Sequence, residues 1–285
     1  MCGCALVVVG FDVFIRCGWE NWVSWSLMFV AAADSSVLRW ANVVAFVLTV
    51  FVNGLAGGTR IIGGRLTSEV SDAFPTLVTP AGYVFSIWGV IYVLLGVFVV
   101  FQVLPSQKGK RYHEGVGWFF VLSSLLNMVW LFLWQFEYLV LSVVVMFLLL
   151  ASLIAIYLRL GVGRSVVPLR EKLAVHVPFS VYLGWITIAT IADVSATLVS
   201  VGWDGFGINQ ETWAALIIVV ALVIALLVVA TRRDVAYGLV IIWALIGIAV
   251  KQSGVSTVVV FSEASAVVVA IALAASVLVS RLTRK

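Results

Sequence analysis

The sequence predicts an all-α protein, a polytopic bundle of transmembrane helices. Three observations indicate this: 64% of the 285 residues are hydrophobic, 11% are charged, and the mean hydropathy is +1.19. Soluble domains carry about 25% charged residues, whereas a helix needs roughly 20 apolar residues in a row to cross a bilayer. Several runs in this chain approach that length, so few residues are left for an aqueous domain.

Eight apolar runs can be placed along the chain, separated by segments rich in glycine or charged residues. The second run opens at Thr79 and Pro80, a capping residue followed by a proline that the first turn of a helix tolerates. Pro105 ends it. The predicted spans are about 37–57, 81–104, 115–136, 138–159, 173–199, 212–230, 235–250 and 256–280.

The N-terminal segment 1–36 is poorly defined by its sequence. Trp19, Trp22 and Trp25 recur every third residue, which suits a helix lying in the membrane interface. An alternative interpretation is that translation begins at Met28 and that the residues before it are not part of the native chain.

Basic residues divide unevenly between the two sides of the predicted bundle. Of seventeen Lys and Arg residues, all but Arg60, Arg65 and Lys251 lie on one side. Cytoplasmic loops carry the excess of basic residues in membrane proteins. We therefore expect a multi-pass protein of the cell membrane with both termini in the cytoplasm.

Aromatic residues in the second span share one helical face. Phe85, Trp88 and Tyr92 fall at positions i, i+3 and i+7. In the third span, Asn127 and Trp130 are three residues apart, and Trp134 follows four residues later. Because this spacing places side chains above one another on a helix, each span presents an aromatic stripe.

The fifth span repeats the pattern with a carboxylate at its end. Tyr182, Trp185, Ala189 and Asp193 fall at i, i+3, i+7 and i+11. An acidic residue within a membrane span is costly, so Asp193 should face a cavity or a partner, unless it lies near the outer end of the helix and reaches water. Glu263 in the eighth span should also face a cavity or a partner, unless it lies in the first turn of the helix, where the helix dipole favours an acid.

Three motifs, taken in order, resemble one known family. The stretch from Pro80 to Phe85, followed by Trp88 and Tyr92, is similar to the start of its second helix. Leu126-Asn127-Met128-Val129-Trp130 matches a Leu-Asn-x-x-Trp motif in its third helix. Tyr182, Trp185 and Ala189 match a Pro-Tyr-x-x-Trp pattern in its fifth, with Asp193 in place of an Asn. The family is the tryptophan-rich sensory protein or translocator protein family (TspO/MBR), also called the peripheral benzodiazepine receptor family.

The chain departs from the family at several of these positions. Ala81 stands where the second helix has a second proline, Tyr83 stands where it has tryptophan, and Val181 replaces the proline of the fifth helix. The resemblance covers about residues 37–200, which implies a TspO-like five-helix domain. Residues 201–285 then form an extension of three more helices.

The resemblance implies an integral membrane ligand-binding protein with a sensory, regulatory or transport output. Its expected ligand is a tetrapyrrole of the porphyrin or haem pathway, or a sterol-like or other hydrophobic molecule, held in an aromatic pocket within the membrane. Loop 58–78 would be the lid. The expected ligand-binding residues are Tyr83, Phe85, Trp88, Tyr92, Asn127, Trp130, Trp134, Tyr182, Trp185, Ala189 and Asp193.

The remaining features predict no catalytic or metal site. Cys2, Cys4 and Cys17 match no zinc spacing, and the two histidines, His113 and His176, are not spaced as a metal pair. We expect no required cofactor and no nucleic-acid partner, and we leave a homodimer open. An enzymatic role also stays open, because light-driven porphyrin breakdown has been proposed for relatives.

Two other interpretations remain at this point. The aromatic residues could be interfacial or packing residues, with Asn127 forming a hydrogen bond between helices. Alternatively, the protein could be a proton-coupled secondary transporter that uses Asp193, and with it Glu263, as its proton site.

Overall fold

The computed structural model describes residues 4–9, 12–17, 23–24 and 36–282. The first three of these pieces are short antiparallel strands, β1 (Cys4–Val9), β2 (Asp12–Cys17) and β3 (Val23–Ser24), which pair in that order. The interfacial helix expected around Trp22 lies outside the described residues.

Residues 36–282 form a polytopic bundle of eight long helices, which confirms the predicted fold class. Seven of them begin and end within about four residues of their predicted spans, whereas the second begins at Ile87, after a 3₁₀ turn that the prediction included in the helix. The helices are α1 (Ser36–Gly58), α2 (Ile87–Val103), α3 (Phe119–Gln135), α4 (Leu139–Arg159), α5 (Val177–Ser200), α6 (Gln210–Arg232), α7 (Val235–Lys251) and α8 (Ser256–Leu282).

Shorter helical segments lead into three of these helices. A 3₁₀ turn at Gly82–Ser86 precedes α2, the helix Tyr112–Val116 precedes α3, and a π-turn at Lys172–His176 precedes α5. Counting them, the described chain contains seven helical segments that are long and apolar enough to cross a membrane. The eighth, α7, has 17 residues and is about 25 Å long, slightly less than the hydrocarbon core of a bilayer.

Local polar residues set the tight turn between α6 and α7. Arg233 adopts a left-handed conformation, with φ of 52°, and ends α6. Asp234 then caps α7, because its carboxylate accepts a hydrogen bond from the backbone N–H of Tyr237 at 3.2 Å. These are ordinary ways to satisfy the free backbone groups at helix ends. They make α6 and α7 neighbours in the bundle.

The fifth helix is the centre of the bundle. In its most apolar stretch 83% of the residues are buried, against 22% to 44% in the other six long spans. It packs against α2, α4 and α7, while α3 packs against α1 and α4, and α8 packs against α6 and α7. One continuous hydrophobic core joins all of these helices, so the helices beyond residue 200 pack directly on the first five.

A glycine allows the loop after α4 to touch the turn after α6. Gly163 has φ of 77°, and a Cβ atom there would overlap the carbonyl oxygen of Arg232. Gly64 has a similar φ of 75°, but a Cβ atom there would meet open space. Substitution at either glycine strains the backbone, but only substitution at Gly163 also disturbs the contact with Arg232. Comparing the two variants therefore isolates the contribution of that contact.

We expect Gly163→Ala to lower the unfolding free energy by about 2 kcal/mol more than Gly64→Ala, because only the first forces two backbone segments apart. Thermal denaturation in detergent, followed by circular dichroism, measures the difference. Equal melting temperatures for the two variants would show that the contact between these loops contributes nothing to stability.

Candidate functional site

The aromatic stripes of α2, α3 and α5 meet inside the bundle. Trp88 of α2 is their common neighbour: its ring centroid lies 6.2 Å from that of Trp130, 6.1 Å from Tyr182, 6.1 Å from Trp185 and 5.8 Å from Tyr92. Some of these rings stack and others meet edge to face, which are the favourable arrangements for aromatic pairs. The three helices named by the sequence analysis therefore converge.

Asp193 connects three helices beside these rings. Its side chain is 2% exposed, and it accepts two hydrogen bonds, from Trp130 Nε1 at 3.0 Å and from Ser142 Oγ at 2.8 Å. No salt bridge to Asp193 is found within residues 36–282. Of the two interpretations of this residue, burial against partners is confirmed, and contact with water at the helix end is wrong.

Further polar groups are buried around the rings. Asn127 is fully buried, and its Oδ1 accepts a hydrogen bond from Nδ2 of Asn53 on α1 at 2.7 Å. In the described part of the chain, the Trp185 indole N–H and the Tyr92 hydroxyl group are buried without a hydrogen-bond partner. An unpaired buried donor is costly, and because Trp185 lines the space between the three helices, its N–H group is available to a ligand.

A short helix in the loop between α1 and α2 covers the aromatic rings. This lid helix, Thr67–Ala73, contributes the carbonyl oxygen of Thr67, which accepts a hydrogen bond from Trp134 Nε1 at 3.1 Å. Thr67 and Ser71 line the space beneath it. The position agrees with the expectation that loop 58–78 lies over the site.

Three exposed salt bridges hold the lid helix and its flanking residues. Arg65 pairs with Glu137 at 2.8 Å, Lys251 pairs with Asp72 at 2.7 Å, and Arg60 pairs with Glu69 within the loop itself. The hydrogen bond from the Arg60 guanidinium group lowers the pKa of the Glu69 carboxyl group. The three basic residues set apart by the charge count thus lie together at one end of the bundle, called here the lid end.

The rings, Asp193 and the lid helix enclose a small space, called here the aromatic cavity. Its volume is about 40 Å³. This is room for roughly one or two water molecules, whereas pockets for small-molecule ligands have volumes of about 300–1,000 Å³. The predicted residues are therefore brought together, but the rings must move apart before a molecule as large as a tetrapyrrole can enter.

Most of the predicted site residues are found at the aromatic cavity. Seven of the eleven line it: Phe85, Trp88, Trp130, Trp134, Trp185, Ala189 and Asp193. Tyr92 and Tyr182 lie behind them against Trp88, and Asn127 neighbours the Tyr182 hydroxyl group. Tyr83 is not part of this group, because it is 46% exposed and packs against Trp243 of α7 at 5.4 Å.

Several lining residues were not predicted. The predicted lining residues did not include Thr67, Ser71, Pro80, Ile188 and Ala192, and Ser142 was not predicted as a partner of Asp193. Ile188 and Ala192 lie one turn from predicted residues of α5, so its helical spacing could have identified them. Ser142 gives no such signal, because it lies on α4, which carries no polar or aromatic stripe.

Glu263 lies outside the aromatic cavity. It is the eighth residue of α8, which begins at Ser256, so its expected position in the first helical turn is wrong. Its side chain is exposed and lines a crevice with Ile246 and Val250 of α7. Glu263 and Asp193 therefore face different surroundings.

One known protein family matches most of the chain. A family model described as TSPO-like protein matches residues 39–279. No curated protein and no solved structure matches the chain. The matched range extends beyond residue 200 and includes α6, α7 and most of α8. The three sequence motifs all lie in the first five helices and give no information about these last three. The chain belongs to the TSPO-like protein family.

Proposed function

We propose that this integral membrane protein binds a flat hydrophobic ligand between α2, α3 and α5, beneath the lid helix. The observation that supports this best is the cluster of Trp88, Trp130 and Trp185 around a buried space that also contains a carboxylate and a free indole N–H group. Aromatic walls with a few convergent polar groups are typical of small-molecule sites.

The residues that line the aromatic cavity indicate the class of ligand. Trp88 and Trp130 are stacked with an interplanar angle of 28°. A planar molecule inserted between two rings needs contacts of about 3.5 Å on each side, so these two rings must separate before it can lie between them. The unpaired Trp185 N–H group favours a ligand with an acceptor, such as a carboxylate or carbonyl group. A tetrapyrrole, which the family resemblance implies, has both features.

Entry requires the lid helix to move. Its salt bridges are exposed, and exposed pairs contribute about 0–1 kcal/mol each to stability. The hydrogen bond from Trp134 to Thr67 adds a further modest contact. Such a segment opens at much lower cost than any of the buried helices, which makes the lid end the route into the aromatic cavity.

We expect Trp185→Phe to weaken protoporphyrin binding by about five- to tenfold, because the net value of one hydrogen bond is about 1 kcal/mol. The melting temperature of the ligand-free protein should fall modestly, because Trp185 is 2% exposed and phenylalanine leaves part of its buried volume empty. Titration followed by porphyrin absorbance measures binding without relying on the protein's own tryptophan signal.

The control is Trp40→Phe, because Trp40 is 62% exposed on α1 and away from the cavity. It should bind protoporphyrin like the wild-type protein. A wild-type protein that does not bind protoporphyrin, or a Trp185→Phe variant that binds it with unchanged affinity, would rule out this ligand at this site.

A second candidate function is proton-coupled transport. It is favoured by one observation, the buried carboxyl group of Asp193 that lines the aromatic cavity without a basic partner among the described residues. Uptake into proteoliposomes that depends on a proton gradient, and that Asp193→Asn abolishes while porphyrin binding persists, would favour transport. Uptake that survives the substitution would exclude this role for Asp193.

A further inference from the structure

A second and larger cavity lies at the lid end of the bundle. It is bounded by the segment after the lid helix, the end of α5, the loop between α5 and α6, and the start of α6; its walls include Leu77, Leu198, Trp203, Asp204, Trp213 and Ile217. We call it the outer cavity. Its volume is about 270 Å³, against about 40 Å³ for the aromatic cavity. A small molecule fits here without any rearrangement of the rings.

The aromatic wall of the outer cavity is fixed in place. Trp213 Nε1 donates a hydrogen bond to the carbonyl oxygen of Gly205 at 2.7 Å, and the rings of Trp203 and Trp213 lie 5.1 Å apart. Gly205 has φ of 68°, and a Cβ atom there would lie 3.0 Å from Trp213 Nε1. The loop is therefore shaped to receive the indole ring, which is a sign of a preformed site.

The charge of the outer cavity selects among ligands. Among the described residues that line it, Asp204 is the single ionisable side chain. One of its oxygens accepts a hydrogen bond from the backbone N–H of Phe206 at 2.9 Å, and no salt bridge to Asp204 is found within residues 36–282. One exposed carboxylate beside two indole rings attracts a cation, since both groups interact favourably with positive charge.

We propose that the outer cavity binds a small amphipathic amine. Its apolar body lies against Leu198, Ile217 and the Trp213 ring, and its ammonium group lies beside the Asp204 carboxylate. This ligand class differs from the acceptor-bearing ligand of the aromatic cavity, because the outer cavity offers the exposed Asp204 carboxylate, and its Trp213 N–H group already donates to Gly205. The two sites are formed by different side chains, so each can be tested without the other.

The test compares three naphthalene probes of the same size on the full-length protein in a neutral detergent. These are naphthylmethylamine, the uncharged naphthylmethanol and the anionic naphthoate, with affinities measured by calorimetry. We expect the amine to bind most tightly and the acid least. Asp204→Asn should weaken amine binding about tenfold, equivalent to about 1.4 kcal/mol, and leave the alcohol unaffected. Asparagine still caps Phe206, so the loop should keep its shape.

A second variant tests the space itself. Leu198→Trp should fill the outer cavity and abolish binding of both the amine and the alcohol, whereas Val220→Trp, on the exposed face of α6, should change neither. Trp185→Phe should also leave amine binding unchanged, because Trp185 belongs to the aromatic cavity. Equal affinities for amine and acid, an amine affinity that Asp204→Asn leaves unchanged, or amine binding that persists in Leu198→Trp would overturn the proposal.

Discussion

Asp193→Ala should lower the unfolding free energy by about 2–4 kcal/mol, because it removes the acceptor of two buried hydrogen bonds and leaves a void. The losses are unequal. Ser142 keeps a partner, since its hydroxyl group also contacts the carbonyl oxygen of Leu139 at 2.8 Å. The Trp130 indole N–H group has no other acceptor among its described contacts, so most of the cost comes from this donor.

Asp193→Asn separates the contribution of the two hydrogen bonds to stability from that of the negative charge, because it removes the charge and can keep both hydrogen bonds. The amide oxygen can still accept from Trp130, and the amide nitrogen can donate to the Ser142 hydroxyl group, which is able to accept. We therefore expect this variant to melt close to the wild-type protein. The double variant Asp193→Ala with Trp130→Phe should be less destabilised than the two single changes added together, with a coupling energy of about 1–3 kcal/mol.

Thermal denaturation in detergent, followed by circular dichroism, measures these differences. Asp72→Ala is a useful control, because the Asp72 side chain is 65% exposed in its salt bridge with Lys251, and exposed pairs contribute about 0–1 kcal/mol. If Asp193→Ala melted like Asp72→Ala, the buried carboxyl group would not stabilise the junction of α3, α4 and α5.

The sequence could predict the helices because hydrophobic length and breaks are local properties. All eight predicted spans are present, and the aromatic stripes of α2, α3 and α5 face one another. Helical spacing identifies which side chains share a face, and Trp88, Trp130 and Trp185 were placed correctly on that basis. The family match adds that the family model includes the last three helices as well as the first five.

Tyr83 was named from the family resemblance and not from helical spacing, and the structure places it elsewhere. The prediction assumed a continuous α-helix from Pro80, but residues Gly82–Ser86 form a 3₁₀ turn. A 3₁₀ helix has three residues per turn instead of 3.6, so the side-chain directions shift before α2 begins. Tyr83 therefore packs against Trp243 of α7, and Phe85 reaches the cavity against Trp185 at 5.8 Å.

The size of the aromatic cavity could not be predicted either. Spacing along a helix determines which rings point toward each other, but the distance between helices depends on every residue at their interface. Here Trp88 approaches four other rings at about 6 Å and fills most of the space between them. The partner of Asp193 on α4 was missed for a related reason, since a single serine carries no periodic signal.

Trp88→Ala should be strongly destabilising, with a loss of about 3 kcal/mol, and the lost stability should be partly restored by added indole. The reason is that Trp88 is the central ring of the aromatic cluster, so its removal joins its own volume to the existing cavity. The enlarged space between the remaining aromatic rings should bind a small aromatic molecule, and a ligand that binds only the folded state raises the melting temperature.

Melting curves with and without indole, for Trp88→Ala and for Trp40→Ala, provide the measurement. Trp40 is 62% exposed on α1, so its removal should create no internal void and no response to indole. A response confined to Trp88→Ala would establish that this side chain is what fills the space between α2, α3 and α5. If Trp88→Ala lost little stability, or if indole had the same effect on both variants, the bundle would have closed over the gap. The helices would then be free to approach without the ring, and Trp88 would not determine the size of the cavity.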